Sequence, residues 1–273
     1  MRAAGLCPVG ALLREWRMAR GKSQLALAVH AGVSSRHLSF IETGRSAPSR
    51  DMVLLLSDAL DVPLRERNTL LDAAGYAAIF KETPLEAPEM DQVRQVLEAL
   101  LSAHGNNPAV VLNRRCDVLM SNDASHRLMA YLLPGEALMS GIAANMIKLT
   151  FSPNGAKPFI ENWHEVASEM AYRLRRELLS EDDAILREIV GPDIELPIAS
   201  PALTRDLLTR RPLIMMPLRL KKGELRLNLF STITTLGTPL DVTLQELRVE
   251  SLFPADDASR RQLAAIVDGS ALT

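Results

Sequence analysis

Apolar residues recur at i, i+3, i+4 and i+7 through the first quarter of the chain and alternate with polar ones near its end, so helices are expected first and strands last. Val9, Leu12, Leu13 and Trp16 set a first helix from about Pro8 to Arg20, which Gly21 ends. Ser23 and Ser34 are placed to cap two short helices joined at Gly32, the second running to Thr43 and stopping at Gly44. Leu25, Ala28 and Val29 of the one are expected to face Leu38 and Ile41 of the other. Ser49 caps a fourth helix with Met52, Leu55, Leu56 and Ala59 inward. Pro63 opens a fifth with Leu64, Leu70, Leu71 and Ala74 inward, and Gly75 stops it. Five short helices in about 70 residues make a bundle around one core.

Between Tyr76 and Met90 the prolines at 84 and 88 break the periodicity, which reads as a linker. Asp91 to Ala103 is helical, with Val93, Val96, Leu97, Leu100 and Leu101 on one side. Ala109–Leu112 and Cys116–Met120 read as a hairpin across Asn113-Arg114-Arg115, and helical segments follow at about 123–132, 142–149, 158–179 and 183–190. Leu213–Leu220, Leu225–Leu236 and Leu240–Phe253 alternate as an antiparallel meander. In the third stretch the apolar set jumps from Leu244 to Leu247, a phase change that predicts a bulge near Gln245-Glu246. Asp256 caps a last helix through about Val267. The expected fold is α+β: a five-helix domain over 1–75, a linker over 76–90, and over 91–273 a five-stranded antiparallel sheet with covering helices.

A steep helix pair with a glycine in its turn leaves the outer face of its second helix free to enter a major groove. Ser35, Arg36, His37, Ser39 and Phe40 occupy that face, which points to double-stranded DNA. Charge agrees. Residues 1–50 carry eight basic groups against Glu15 and Glu42, and since the whole chain is −2 the remainder carries −8. A basic end on an acidic body suits phosphate attraction at that end.

The length of 273 residues favours two domains, and 47% apolar residues can fill both cores without any run of the roughly 20 that a membrane helix needs. The start, interrupted by Pro8, does not suit a signal peptide, so a cytoplasmic protein is expected. Cys7 and Cys116 form no CxxC or secreted framework, and Cys116 is expected to pack as a small apolar residue in a strand. The histidines at 30, 37, 104, 126 and 164 are scattered, and His164-Glu165 lacks the second histidine of a zinc-protease helix. With no GxSxG and no phosphate-cradling glycine loop, no enzyme, metal or cofactor is expected.

Ser23-Gln24, Ala31-Gly32-Val33-Ser34, Leu38-Ser39, Ile41-Glu42, Gly44-Arg45 and Pro48-Ser49 resemble the lambda-repressor-like, xenobiotic-response-element family of DNA-binding domains. That resemblance implies a phosphate contact at Gln24, the cap Ser34 at the start of the recognition helix, base-facing Ser35, Arg36 and Phe40, and a backbone contact at Arg45. Arg36 can bond O6 and N7 of a guanine together. Phe40 stands where the family often has a polar residue; it either packs on a thymine methyl or turns back into a protein contact. One recognition helix buries too little for tight specific binding alone, so a homodimer on a pseudo-palindromic operator is expected, with half-sites about one helical turn apart.

From about 105 to 255 the chain resembles the ligand-binding domain of MmyB-like transcription regulators, a PAS-like module known in at least one member to hold a fatty acid. Asn162-Trp163, Gly237-Thr238-Pro239, Asp241-Val242-Thr243-Leu244-Gln245-Glu246-Leu247-Arg248 and Phe253-Pro254-Ala255-Asp256 carry the likeness, as does Asn122 closing a strand before Asp-Ala-Ser and a helix. The resemblance implies a small apolar or amphipathic, fatty-acid-like ligand that modulates operator binding. The alternative is an antitoxin-like module whose larger domain binds a protein.

The choice turns on whether that domain is hollow. Its candidate ligand contacts are Trp163, Met215, Arg226, Asn228, Phe230 and Thr232. Met215 and Met216, with Met120, Met129, Met139, Met146 and Met170, tolerate variable shapes but equally fill a core. Arg226, Asn228, Thr232 and Thr234 share a strand face with Phe230 and Leu236; facing outward they are solvated, facing the helices they orient a carboxylate or hydroxyl. Trp163 is either a pocket wall or a packing residue with its N–H satisfied. Coupling between the two domains is expected to pass through the segment from Gly75 to Asp91.

Overall fold

A computed structural model describes residues 8–177 and 217–270. They fall into two units, one bounded by 1–89 together with 236–245, the other by 90–235 and 246–273. The first unit opens with α1 (Pro8–Ala19), α2 (Gln24–Ala31), α3 (Ser35–Glu42), α4 (Arg50–Ala59) and α5 (Leu64–Ala73). Serine hydroxyls start three of them: Ser23 Oγ accepts from Ala26 N–H, Ser34 Oγ from His37 N–H and Ser49 Oγ from Met52 N–H, at 3.1, 3.1 and 3.2 Å. Gly32, at φ 66°, ends α2 in the left-handed region and turns the chain into α3.

Leu13, Leu27, Leu38, Ile41, Leu56 and Leu71 fill the core of this bundle. Leu25 and Val29, expected inward, are instead 64% and 74% exposed. The helix α2 is apolar nearly all round, so its periodicity does not pick a face; Leu27, Ala28 and Ala31 are the buried stripe. In α4 Val53 lies inside and Leu55 outside. Residues 76–87 add no helix or strand but are tied to α5. Asn68 Oδ1 accepts from Ile79 and Phe80 N–H, both at 3.1 Å, and Asn68 Nδ2 donates to Phe80 O at 2.8 Å. Residues 236–245 belong to the same unit: Thr83 Oγ1 donates to Asp241 Oδ2 at 2.7 Å, Val242 N–H to Lys81 O at 2.8 Å, and Leu64 N–H to Gln245 Oε1 at 2.6 Å.

In the second unit α6 (Asp91–Ala103) precedes the hairpin β1 (Ala109–Leu112) and β2 (Val118–Ser121). Four helices follow: α7 (Asp123–Leu132), α8 (Gly135–Met139), α9 (Met146–Phe151) and α10 (Trp163–Glu177). The described chain resumes in β3 (Pro217–Lys222) and β4 (Leu225–Thr235), and after a short helix α11 (Val242–Glu246) continues into β5 (Arg248–Pro254) and α12 (Asp257–Val267). All pairings are antiparallel, in the order β2-β1-β5-β4-β3. The fold is thus α+β, five helices followed by a five-stranded antiparallel sheet with helices.

Several local expectations change. The stretch from Leu240 is not one bulged strand: its phase break is the passage from α11 to β5, since a helix and a strand space their apolar positions differently. Cys116 is buried but sits in the hairpin turn at φ 61°, outside β2. The helix expected at 183–190 and the residues 213–216 of the third-last stretch lie outside the described residues.

The strand β4 is long enough to serve two partners, Leu225–Phe230 pairing with β3 and Leu229–Thr235 with β5. Where β5 has ended, α12 takes over the bare edge: Arg226 N–H donates to Gln262 Oε1 and Asn228 N–H to Ser259 Oγ, at 2.9 and 2.8 Å. Asp256 caps α12 by accepting from Ser259 N–H, and that bond together with the Asn228 amide holds its carboxyl down at about 2.

Candidate nucleic-acid interface and interior cavity

The basic surplus of the first unit is divided between structure and surface. Arg17 donates from Nε and Nη2 to the two oxygens of Glu42, at 2.6 and 2.9 Å, and from Nη1 to Lys22 O. Arg20 donates to Leu60 O and Asp61 O, and Lys22 to Ala59 O. These three cations fasten helix ends, while Arg14, Arg36, Arg45 and Arg50 stay exposed.

The helix α3 presents Ser35 and Arg36 fully, with His37, Ser39 and Phe40 half-buried beside them. Ser34 is spent as the cap. Gln24, the first residue of α2, donates to Glu42 Oε2 at 2.8 Å, which fixes its side chain against the last residue of α3 while leaving its own oxygen open. Phe40 packs within its own chain: the guanidinium carbons of Arg36 and Arg45 stand 5.4 and 6.0 Å from its ring centroid. The ring thereby brings the two exposed arginines to one side of the recognition helix. The chain then turns at Gly44, with Arg45 and Ser46 N–H both bonded to Phe40 O, so Arg45 is held by backbone as well as by the ring.

The second unit is hollow. A cavity of about 490 Å³ lies between the sheet and α7, α9 and α10. Leu128, Leu132, Met146, Val166, Leu218 and Leu220 supply most of its apolar wall, with Met129 and Met170 adding flexible surface. Its polar groups are few. Ser121 Oγ is 2.6 Å from His126 Nε2, Ser231 stands on β4, and Glu169 lies toward the surface. Arg173 of α10 faces Glu250 of β5 with 3.6 Å between Nη2 and Oε2.

The face of β4 expected to meet a ligand points the other way. Leu225, Leu227, Leu229 and Ser231 turn toward the helices and the cavity. Arg226 bonds Gly223 O, Asn228 bonds Asp256, Phe230 stacks on Phe253 at 5.6 Å, and Thr232 is exposed. Strand alternation leaves no residue of that set lining the cavity. Trp163 is a packing residue, its indole N–H donating to Thr150 O at 3.1 Å and its ring edge-on to Phe151. Met215 lies outside the described residues, and Met139 is 90% exposed. What sequence reasoning missed was Glu250. A glutamate between Val249 and Ser251, both buried, was the available signal for a polar group aimed to the opposite side of β5.

Among the described residues no helix is long and apolar enough to cross a membrane, and no group of three His, Cys, Asp or Glu is placed to hold a metal ion. Residues 8–70 match a helix-turn-helix domain, and residues 93–266 match the MmyB-like transcription regulator ligand binding domain. Over 85 residues the chain is 39% identical to the uncharacterized HTH-type transcriptional regulator RghRB of Bacillus subtilis (strain 168). That stretch covers 31% of this chain and 59% of the relative, so the chain spans less than two thirds of the relative's length.

Proposed function

The chain belongs to the MmyB-like transcription regulators, a helix-turn-helix domain joined to a ligand-binding domain, and we propose that occupancy of its cavity sets its affinity for operator DNA. The observation that carries this reading is the pairing of an exposed, arginine-bearing α3 with an apolar cavity of about 490 Å³, within the size range of small-molecule sites. The occupant is a small apolar or amphipathic molecule with a fatty-acid-like chain, since the wall is largely aliphatic and its polar groups are few. The order of strands around the sheet supports a PAS-like module. The protein acts in the cytoplasm, as a homodimer whose two recognition helices meet half-sites about 10 base pairs apart on a pseudo-palindromic operator. A hollow domain favours a small molecule over the protein partner of the antitoxin-like alternative.

In this reading Arg36 reads base edges and Arg45 grips the backbone. Arg36→Ala is expected to weaken specific binding by about 1–3 kcal/mol and to relax the preference among operator variants. Arg45→Ala is expected to weaken all sequences alike and to lower the slope of affinity against salt by about one. Fluorescence anisotropy across a panel of single-base operator variants at several salt concentrations separates the two; a uniform loss for both removes Arg36 from the base-reading role. Mass spectrometry of molecules extracted from the purified protein tests the cavity directly, and a protein that carries and takes up no small apolar molecule sinks the ligand reading.

Coupling was expected to pass through 75–91 alone, yet residues 236–245 also belong to the DNA-binding unit and continue directly into β5. A flexible Gly-Ser insertion after Glu86 is therefore expected to leave part of the ligand effect on operator affinity, which for such systems is about 1–3 kcal/mol. The same insertion after Gly237 in addition is expected to abolish it while both binding activities persist. Full uncoupling by the Glu86 insertion alone shows that the second connection carries no signal.

A further inference from the structure

The titratable side chains of the described cavity lining are His126 on α7, Glu169 and Arg173 on α10, and Glu250 on β5. The sheet holds the first apart from the last. Ser121 of β2, the partner of His126, pairs with Val110 of β1, and Val110 pairs with Glu250 of β5. Two strand spacings, about 10 Å, therefore separate Ser121 from Glu250, with an apolar residue between them. The Glu250 side is closed on itself: its carboxylate lies 3.6 Å from Arg173 and both side chains are largely buried, so the guanidinium already has its counter-charge. The Ser121 side is open. Ser121 is half-buried, His126 is exposed in the first turn of α7, and Ser121 Oγ stands 2.6 Å from His126 Nε2. Among the described residues no further side chain takes the Ser121 hydroxyl or the second ring nitrogen of His126. Asp123, the acidic residue nearest in sequence, does not line the cavity and accepts from Arg127 Nε at 2.7 Å.

Resting on the ligand reading above, we infer that Ser121 and His126 form the head subsite of this cavity and hold the carboxylate of a fatty-acid-like chain. With a proton on both ring nitrogens, His126 donates through Nε2 to Ser121 Oγ. The hydroxyl proton is then free to meet one carboxylate oxygen, and the ring supplies the positive charge that the anion pairs with. Because His126 stands at the surface, the head keeps part of its hydration, and the cost of taking a carboxylate out of water stays small. A carboxylate at the other side has to compete with Glu250 for Arg173 and to lie beside a second negative charge. At Ser121 it is about one Debye length from Glu250, and that repulsion is weak. The aliphatic wall holds the chain without discriminating among heads, so the choice of head resides in two side chains set in an otherwise permissive surface.

Dodecanoate and dodecanol share a chain and differ in head. Each is titrated at submicellar concentration into the full-length, delipidated protein by calorimetry, with native mass spectrometry for stoichiometry. Dodecanoate is expected to bind about tenfold more tightly than dodecanol, the scale of one charge-assisted hydrogen bond. In His126→Ala and in Ser121→Ala that preference is expected to shrink to within about threefold through loss of dodecanoate affinity, with dodecanol affinity changed by less than about twofold. His126→Arg, which returns a cation to the same place, is expected to keep the preference. A preference unchanged in His126→Ala overturns the inference, and its disappearance in Arg173→Gln then puts the head at the other side of the cavity. Dodecanol binding as tightly as dodecanoate in the wild type overturns the inference while leaving the apolar-ligand reading in place. Binding of neither probe overturns the inference and that reading together.

Discussion

Glu42→Gln is expected to destabilise the DNA-binding unit by about 3–5 kcal/mol, because it leaves the Arg17 guanidinium buried without its counter-charge. Arg17 and Glu42 are 9% and 3% exposed, and both carboxylate oxygens are taken by the guanidinium, with Gln24 adding a third bond. The same residues determine a pH dependence. Burial alone pushes the Glu42 carboxyl up, but the hydrogen bonds from Arg17 and Gln24 and the charge of Arg17 outweigh it, so the group titrates below its ordinary value of 4.5. A carboxyl with a lowered folded pKa stabilises fully above its unfolded value, and that contribution disappears as the pH falls through the folded one. Urea denaturation of the full chain from pH 7 down to pH 3 is the measurement. The wild type is expected to lose stability on the acid side of about 4.5, and Glu42→Gln to start lower and lack that component. A loss under about 1 kcal/mol at pH 7 contradicts the assignment of this pair as an obligatory one, given the magnitudes for breaking buried ion pairs.

Gly10→Ala is the second change of large effect. Helices α1 and α3 approach so closely there that a Cβ would stand 2.1 Å from Ile41 O and 3.2 Å from Glu42 Cα. The obstacle is backbone, which no rotamer change can move aside, so α1 must shift away from α3 or bend. Overpacking of this kind costs about 2–3 kcal/mol, near the upper end of its usual range. Because α3 carries Ser35 and Arg36, operator affinity is expected to fall with stability, whereas Arg36→Ala lowers affinity alone. Thermal melts paired with DNA titrations distinguish them, and a Gly10→Ala protein with an unchanged melting temperature shows that the helices have room to separate.

Much of this architecture is legible in the sequence where local chemistry decides it. Ser23, Ser34, Ser49 and Asp256 cap the helices they were expected to cap, since a short oxygen-bearing side chain before an apolar run has little else to do. The family resemblance of both halves is upheld by the matches over 8–70 and 93–266. What resists reading is which face of an element turns inward when both faces are apolar or both mixed. Leu25 and Val29 on α2 are one instance. Another is β4, where Arg226, Asn228 and Phe230 carry the more chemically suggestive pattern, yet the plainer Leu225, Leu227, Leu229 and Ser231 meet the helices. There the deciding partner is α12, which takes Arg226 and Asn228 N–H at the bare strand edge and lies more than 25 residues away in sequence. Glu250 escaped notice for a related reason: the apolar set of β5 falls on Leu247 and Val249, which are buried, while Glu250 and Leu252 alternate onto the side that lines the cavity.

The excursion of residues 236–245 makes the DNA-binding unit discontinuous along the chain. On a ribosome, its five helices emerge early and can collapse around Leu13, Leu38 and Leu56 well before the rest is made. Leu64 N–H and Thr83, however, wait for Gln245 and Asp241, which arrive only after β1 to β4 have been synthesised. The amino-terminal piece therefore acquires its last stabilising bonds late, from a loop delivered by the hairpin of the other unit. Gene fragments that end after residue 75 or 90 encode the helices without their final fastening, and recombination that exchanges the second unit must carry a compatible loop with it.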